Sequence, residues 1–164
     1  VQASDATAIF MGDAVKLDGG SDGNGIRSVT QATGAAVAGV VVGIVVDPLL
    51  LNSPQYRVAS TARYLMVADD PNLLFECQED AVGGALASTS VGLNANLIVG
   101  AGSTTTGQSG MQLDTSTVAT TATLELKVIE FVQRPDNEVG NALAKVIVKL
   151  NNHQLSSSTG TAGV

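Results

Sequence analysis

The acidic, glycine-rich stretch Asp18–Gly25 (DGGSDGNG) has the residue types of a calcium loop. Closely spaced carboxylates on a flexible backbone are what a hard cation requires. The spacing argues against it. With Asp18 as first ligand, Gly20 falls at the third position and Val29 at the twelfth, where a bidentate Glu belongs. The stretch reads as a solvated turn. Gly100–Gly110 (GAGSTTTGQSG) is as glycine-rich as a phosphate loop but has no Lys. Thr105 stands where the dinucleotide fingerprint has Gly, so it reads as a plain loop. The single His153 cannot build a histidine metal cluster. Asp114-Thr115-Ser116 departs from the Asp-Thr/Ser-Gly of aspartic proteases. Glu76 and Asp80 share a strand parity and in principle could line one cleft as glycosidase acids. Sugar sites of that kind want aromatic platforms, and the chain has no Trp, two Tyr and three Phe. Cys77, the one cysteine, has acidic neighbours and reads as a buried small hydrophobe rather than a reactive thiol. The chain therefore predicts no catalytic residues, no metal and no cofactor.

What remains is chemistry suited to protein partners. Arg57, Arg63, Arg134 and Asp136 are the interface candidates, because arginine pairs with carboxylates through a planar fork and is favoured at interfaces. An ordinary surface charge is the competing reading for each.

These groups must be positioned by strands. Of 164 residues, 45% are apolar but only 3% aromatic, so Val, Ala, Ile and Leu build the core beside many Thr and Gly. That composition favours short strands and turns. The length suits a single domain, which buries about two-thirds of its unfolded surface. Charged residues make up only 14%, which points either to surface covered by neighbours or to one rich in Thr, Ser and Asn. A net charge of −7 and scattered Lys and Arg exclude a nucleic-acid partner. The longest apolar run, Ala35–Val46, is too short for a membrane span and ends at Asp47-Pro48.

Strands are predicted over Ile9–Leu17, Ile26–Ala32, Val37–Val46, Tyr64–Ala68, Leu73–Cys77, Leu97–Val99, Thr120–Val132 and Ala144–Leu150. Val37–Val46 is apolar on both faces and should be central in its sheet or at a subunit contact. Asp69-Asp70-Pro71-Asn72 breaks Tyr64–Ala68 from Leu73–Cys77 as a hairpin turn or a corner between sheets. Leu49–Tyr56 holds three consecutive leucines that either dock a loop on the core or form an exposed contact patch. Ser88–Asn96 suggests one short helical turn. Residues 1–8 and 156–164 read as flexible arms. The expected fold is all-β: a single-domain β-sandwich, or a Greek-key or jelly-roll-like barrel, with long loops.

Two blocks carry a family resemblance. Arg63–Asp80 follows the pattern RY-(apolar)-VADDP-(apolar)-FE-x-QED. Gly107–Gln154 contains LDTSTVATTATLELKV, QRPDNEVG and VKLNNHQ in order. Both are similar to the head decoration, or cement, proteins of tailed bacteriophages. The opening pieces GDAVKLDGG and GIRSVTQA fit that family more loosely. The resemblance implies a non-catalytic virion structural protein on the outer surface of the capsid, commonly a homotrimer, bridging and stabilising major capsid protein subunits. The acidic balance agrees with a place outside the shell rather than against packaged DNA. The alternative is a receptor- or glycan-binding module of a phage tail or surface appendage.

Overall fold

The computed structural model describes residues 1–34, 36–156 and 160–164. The all-β expectation holds. Nine strands form two antiparallel sheets, and the only helical element among the described residues is a 3-10 turn at Ser88–Ser90, inside the stretch expected to make one. Both sheets are open, as in β-sandwich proteins. No helix is long and apolar enough to cross a membrane. The contacts sort into two compact units, one per sheet.

The first unit comprises Val1–Ala32, Val37–Asp69 and Gly100–Met111. Its sheet contains β1 (Ala14–Ser21), β2 (Arg27–Gln31), β3 (Gly39–Ile44) and β4 (Leu65–Ala68), in the order β2-β1-β3-β4. β1 and β2 form a hairpin whose tip is Asp22–Ile26: the Asp22 N–H donates to the Ile26 carbonyl. β1 thus runs on to Ser21, past the Leu17 boundary that the glycines of DGGSDGNG suggest. β3 is central, as its apolar sequence requires, but only Val41 of its valines is fully buried and Val42 faces outward. Ile9, Val15 and Val41 form the core, with Val29, Ile44, Leu65 and Val67 packed on it. Phe10 stacks on Tyr56 at 4.8 Å between ring centroids. Gly102 lies against the Phe10 ring so closely that any Cβ there would clash with it.

The second unit comprises Thr33–Ala36, Asp70–Val99 and Gln112–Val164. Its sheet contains β5 (Leu74–Gln78), β6 (Asn94–Ile98), β7 (Gln112–Ala119), β8 (Leu126–Phe131) and β9 (Lys145–Leu150), in the order β5-β9-β8-β6-β7. β9 alternates cleanly, with Val146, Val148 and Leu150 buried opposite Phe131, Val128 and Leu126 of β8. One parallel bridge, Glu79 to Leu113, ties the end of β5 to β7 at the far edge of the same sheet. β4 and β5 do not pair with each other, so Asp69-Asp70-Pro71-Asn72 is a passage between sheets and not a hairpin turn.

The C-terminal stretch expected as a mobile tail falls partly on residues 157–159, outside the described residues. Gly160–Val164 is held within the second unit. Asn94 Nδ2 donates to the Thr161 carbonyl, Lys127 Nζ to the Ala162 carbonyl, and Gly163 N to the Thr120 carbonyl.

Candidate functional site

The groups that could have done chemistry are bound into the chain's own turns. Seven of the ten aspartates (Asp5, Asp18, Asp22, Asp47, Asp70, Asp80 and Asp114) accept a hydrogen bond from the backbone N–H two residues on. This is the Asx turn, in which a short carboxylate satisfies the turning backbone. In the Asp18–Gly25 loop, Asp18 also accepts from the Ser28 hydroxyl, and Asp22 from Ile26 N and the Tyr64 hydroxyl. Those carboxylates face the chain rather than a shared cation position, and among the described residues no group of three potential ligands gathers for a metal. Asp114 accepts from both the N–H and the hydroxyl of Ser116.

Glu76 and Asp80 have separate tasks. Glu76 meets Arg134 at 2.9 Å on the surface. Asp80 accepts from Val82 N, Thr115 N and the Thr115 hydroxyl. His153 is buried, and its Nδ1 accepts from Leu155 N at 3.1 Å. Two further carboxylates carry no sequence signal of burial. Glu79 is fully buried, with Oε2 accepting from Leu86 N at 2.7 Å and Oε1 from Ala144 N at 3.4 Å. Glu125, also buried, accepts from Leu97 N at 2.7 Å.

This arrangement fixes a pH response. Burial raises the carboxyl pKa of Asp5 and of Asp80, but hydrogen bonds outweigh it and hold both below the ordinary value. The donors are Thr7 N and the Thr30 hydroxyl for Asp5, whose carboxylate is lowered further by the nearby Arg57 charge, and Thr115 and Val82 N for Asp80. The exposed Asp22 is lowered by the Tyr64 hydroxyl first and Ile26 N second. A carboxyl whose folded pKa is depressed stabilises the fold above its unfolded pKa, near 4, and loses that contribution as pH falls through the folded value. Urea midpoints should therefore be level from about pH 7 to pH 5 and fall progressively below about pH 4. A midpoint that rises on acidification would contradict this account.

Burial of the Cys77 thiol pushes its pKa up to about 12, so it stays protonated at neutral pH. Iodoacetamide at pH 7.5 should leave folded protein unmodified and alkylate Cys77 promptly in urea, read by intact mass. Equal rates in the two conditions would refute the shielding.

The interface candidates fall in three different settings. Arg57 is not at the surface at all. It is 0% exposed, and its guanidinium donates to the backbone carbonyls of Gln2, Asp5, Thr7 and Thr61, with the Asp5 carboxylate 3.7 Å away. Its four hydrogen bonds all serve the chain itself, which withdraws it from any partner. Its clamp also ties down residues 2–7, read from sequence as part of a flexible arm. Arg63 is half-buried, with Nη2 donating to the Val45 carbonyl at 3.2 Å. Arg134 and Asp136 do come together, 3.7 Å apart, in a surface network with Glu76 and Lys145. Exposed pairs of this kind contribute only about 0–1 kcal/mol each, so the network is better suited to partner choice than to stability.

The three leucines resolve as an exposed patch. Leu49, Leu50 and Leu51 are 90%, 63% and 80% exposed. Successive turns hold them outward: Asp47 accepts from Leu49 N through its carboxylate and from Leu50 N through its carbonyl, and Ser53 N donates to the Leu50 carbonyl. Val45 and Val46, just before them, are exposed too, as are Val42 on β3 and Met66 on β4. Leu51 and Val46 border a recess of about 230 Å³ with Met11, Ile44, Pro54 and Gln55 in its walls. Nothing in the first unit's core requires three leucines in water, so this is the surface on which a binding function is best sought.

Comparison with known family models, curated proteins and solved structures returns no match to this chain.

Proposed function

We propose that this protein is a virion structural protein of a tailed bacteriophage that decorates the outer surface of the head. It stabilises the shell by binding major capsid protein subunits and performs no catalysis. The observation that carries the reading is the Leu49–Leu51 patch, presented by a braced turn at the end of a central strand. Apolar side chains held out in water form a contact surface that gains from burial, at about 25 cal/mol per Å² of apolar area covered. The Arg63–Asp80 and Gly107–Gln154 blocks supply the family, and an all-β fold accommodates it. A homotrimer at three-fold positions would multiply a modest contact through avidity over a symmetric lattice. The acidic balance keeps the protein away from packaged DNA.

The test is stoichiometry together with shell strength. Quantitative mass spectrometry of purified particles should find this chain in lattice-wide numbers relative to the major capsid protein. Particles lacking it should rupture at lower temperature or under milder osmotic shock. A few copies per particle would move the protein to a tail or vertex, and its absence from particles would end the structural reading.

A further inference from the structure

We infer that a cleft in the second unit binds a phosphate group, free or as a monoester, between two lysines. The cleft holds about 610 Å³, within the range of small-molecule pockets, about 300–1,000 Å³. Its lining includes Asn72, Lys127, Lys149, Asn151, His153 and Thr161, all within that unit. The inference does not rest on the capsid reading.

Strand register sets the pair. Lys127 of β8 lies directly opposite Lys149 of β9. Side chains so placed have Cβ atoms about 4.5–5.5 Å apart, and like charges there repel each other. The chain has 15 Asp and Glu to draw on, yet neither lysine forms an ion pair among the described residues. Lys145, earlier on the same strand and face, shows the ordinary arrangement, with its Nζ 3.8 Å from Glu76 Oε1. β9 thus carries one lysine that is neutralised and one that faces another lysine.

Hydrogen bonds place both ammonium groups at the cleft wall. Lys149 Nζ donates to Oδ1 of Asn72, itself a lining residue, at 3.0 Å. Lys127 Nζ donates to the carbonyl of Ala162, next to the lining residue Thr161, at 2.8 Å. That wall is fixed: Thr161 N and the Thr161 hydroxyl donate to Asn151 Oδ1, and the Thr161 carbonyl accepts from Asn94 Nδ2. An ammonium has three donors, so each lysine keeps two for a ligand.

The other charges nearby leave the pair uncompensated. The lining contains no carboxylate. His153 is buried and its Nδ1 accepts from Leu155 N, so the ring is neutral. Asp70, beside Pro71 of the lining, turns its carboxylate to Asn72 N. Glu125 is buried, and its carboxylate accepts from Leu97 N. The Val164 carboxylate pairs with neither lysine. Two point charges without a planar fork suit a tetrahedral oxyanion better than a planar carboxylate. A phosphate monoester carries about −1.5 to −2 near pH 7, which matches two ammonium groups.

The full chain should be titrated at pH 7.5 and constant ionic strength with glucose 6-phosphate and with inorganic phosphate, followed by amide chemical shifts. Glucose and acetate are the controls. At least one phosphate should produce saturable shifts at Asn72, Lys127 and Lys149 but not at the paired Lys145, and both controls should bind at least about tenfold more weakly. Tighter binding of the sugar phosphate would support a monoester whose carrier fills the cleft, and equal binding would support the phosphate group alone. Lys127→Gln and Lys149→Gln should each weaken binding about tenfold. Each should also keep the ligand-free urea midpoint at least at the parental value, because it removes a like-charge pair, so that lost binding is not lost folding. No saturable shift with either phosphate, equal binding of glucose or acetate, or binding indifferent to both substitutions would overturn the proposal.

Discussion

Replacing Arg57 by Met will destabilise the first unit by about 3–5 kcal/mol, the range seen when one member of a buried charged network is removed. The side chain is fully buried, and four backbone carbonyls, those of Gln2, Asp5, Thr7 and Thr61, accept from it. Met fills much of the volume but offers no donor, and a buried carbonyl left without one costs about 1–3 kcal/mol. The total stays below the sum of four such losses because residues 2–7 can lift off and be hydrated. Burial lowers the Arg57 pKa and the Asp5 carboxylate raises it again, which helps keep the group charged in place. Arg57→Lys should recover only part of the loss, since a single ammonium cannot reach four carbonyls spread around a planar fork. The backbone of Arg57 also exchanges hydrogen bonds with Ile9, at 3.0 and 2.7 Å, so residues 2–9 should lose hydrogen-exchange protection together. Urea unfolding and hydrogen exchange measure both parts. A stability change under about 1 kcal/mol would mean that the clamp contributes little.

Arg57 also shows where sequence reading stops. Its neighbours Tyr56 and Val58 give no hint that a charged side chain turns inward, because three of its four carbonyl partners lie about fifty residues earlier. The elements that were legible are those whose pattern is local. β9 reads directly from its alternation, and the Asp-rich turns follow from residues two apart. Thr120–Val132 alternates just as well, yet only Leu126–Phe131 is strand. Asn151 Nδ2 donates to the carbonyls of Ala122 and Leu124, and Asn152 to that of Thr123, which binds the preceding segment into a turn. The polar stretch Gln112–Ala119 gave no strand signal and became β7 because β6 pairs with it. Of the four interface candidates, residue type alone could not separate the buried Arg57 from the exposed Arg134. Three adjacent leucines signalled either a docked loop or a contact patch, and the choice between them depended on turns that the sequence only suggested.

On the proposed decorating role, the double substitution Leu49→Asp/Leu51→Asp should abolish binding to particles while leaving the fold intact. Both side chains are more than three-quarters exposed, so their removal from the free protein creates no cavity, and stability should stay within about 0.5 kcal/mol of the parent. Binding is different. Burying a leucine against a partner contributes about 1.5–3 kcal/mol, so losing two removes about 3–6 kcal/mol per contact, a factor of at least about 100. The new carboxylates add a desolvation cost at the same place. A trimer would lose the contact three times, once per copy, so avidity would turn a weakened site into an empty one. Co-sedimentation with undecorated shells, scored by occupancy, measures the effect. Val82→Asp, at a residue equally exposed but in the second unit, is the matched control and should decorate normally. A folded double variant that still reaches parental occupancy would place the capsid contact elsewhere, and the Arg134–Asp136 network would be the next surface to substitute.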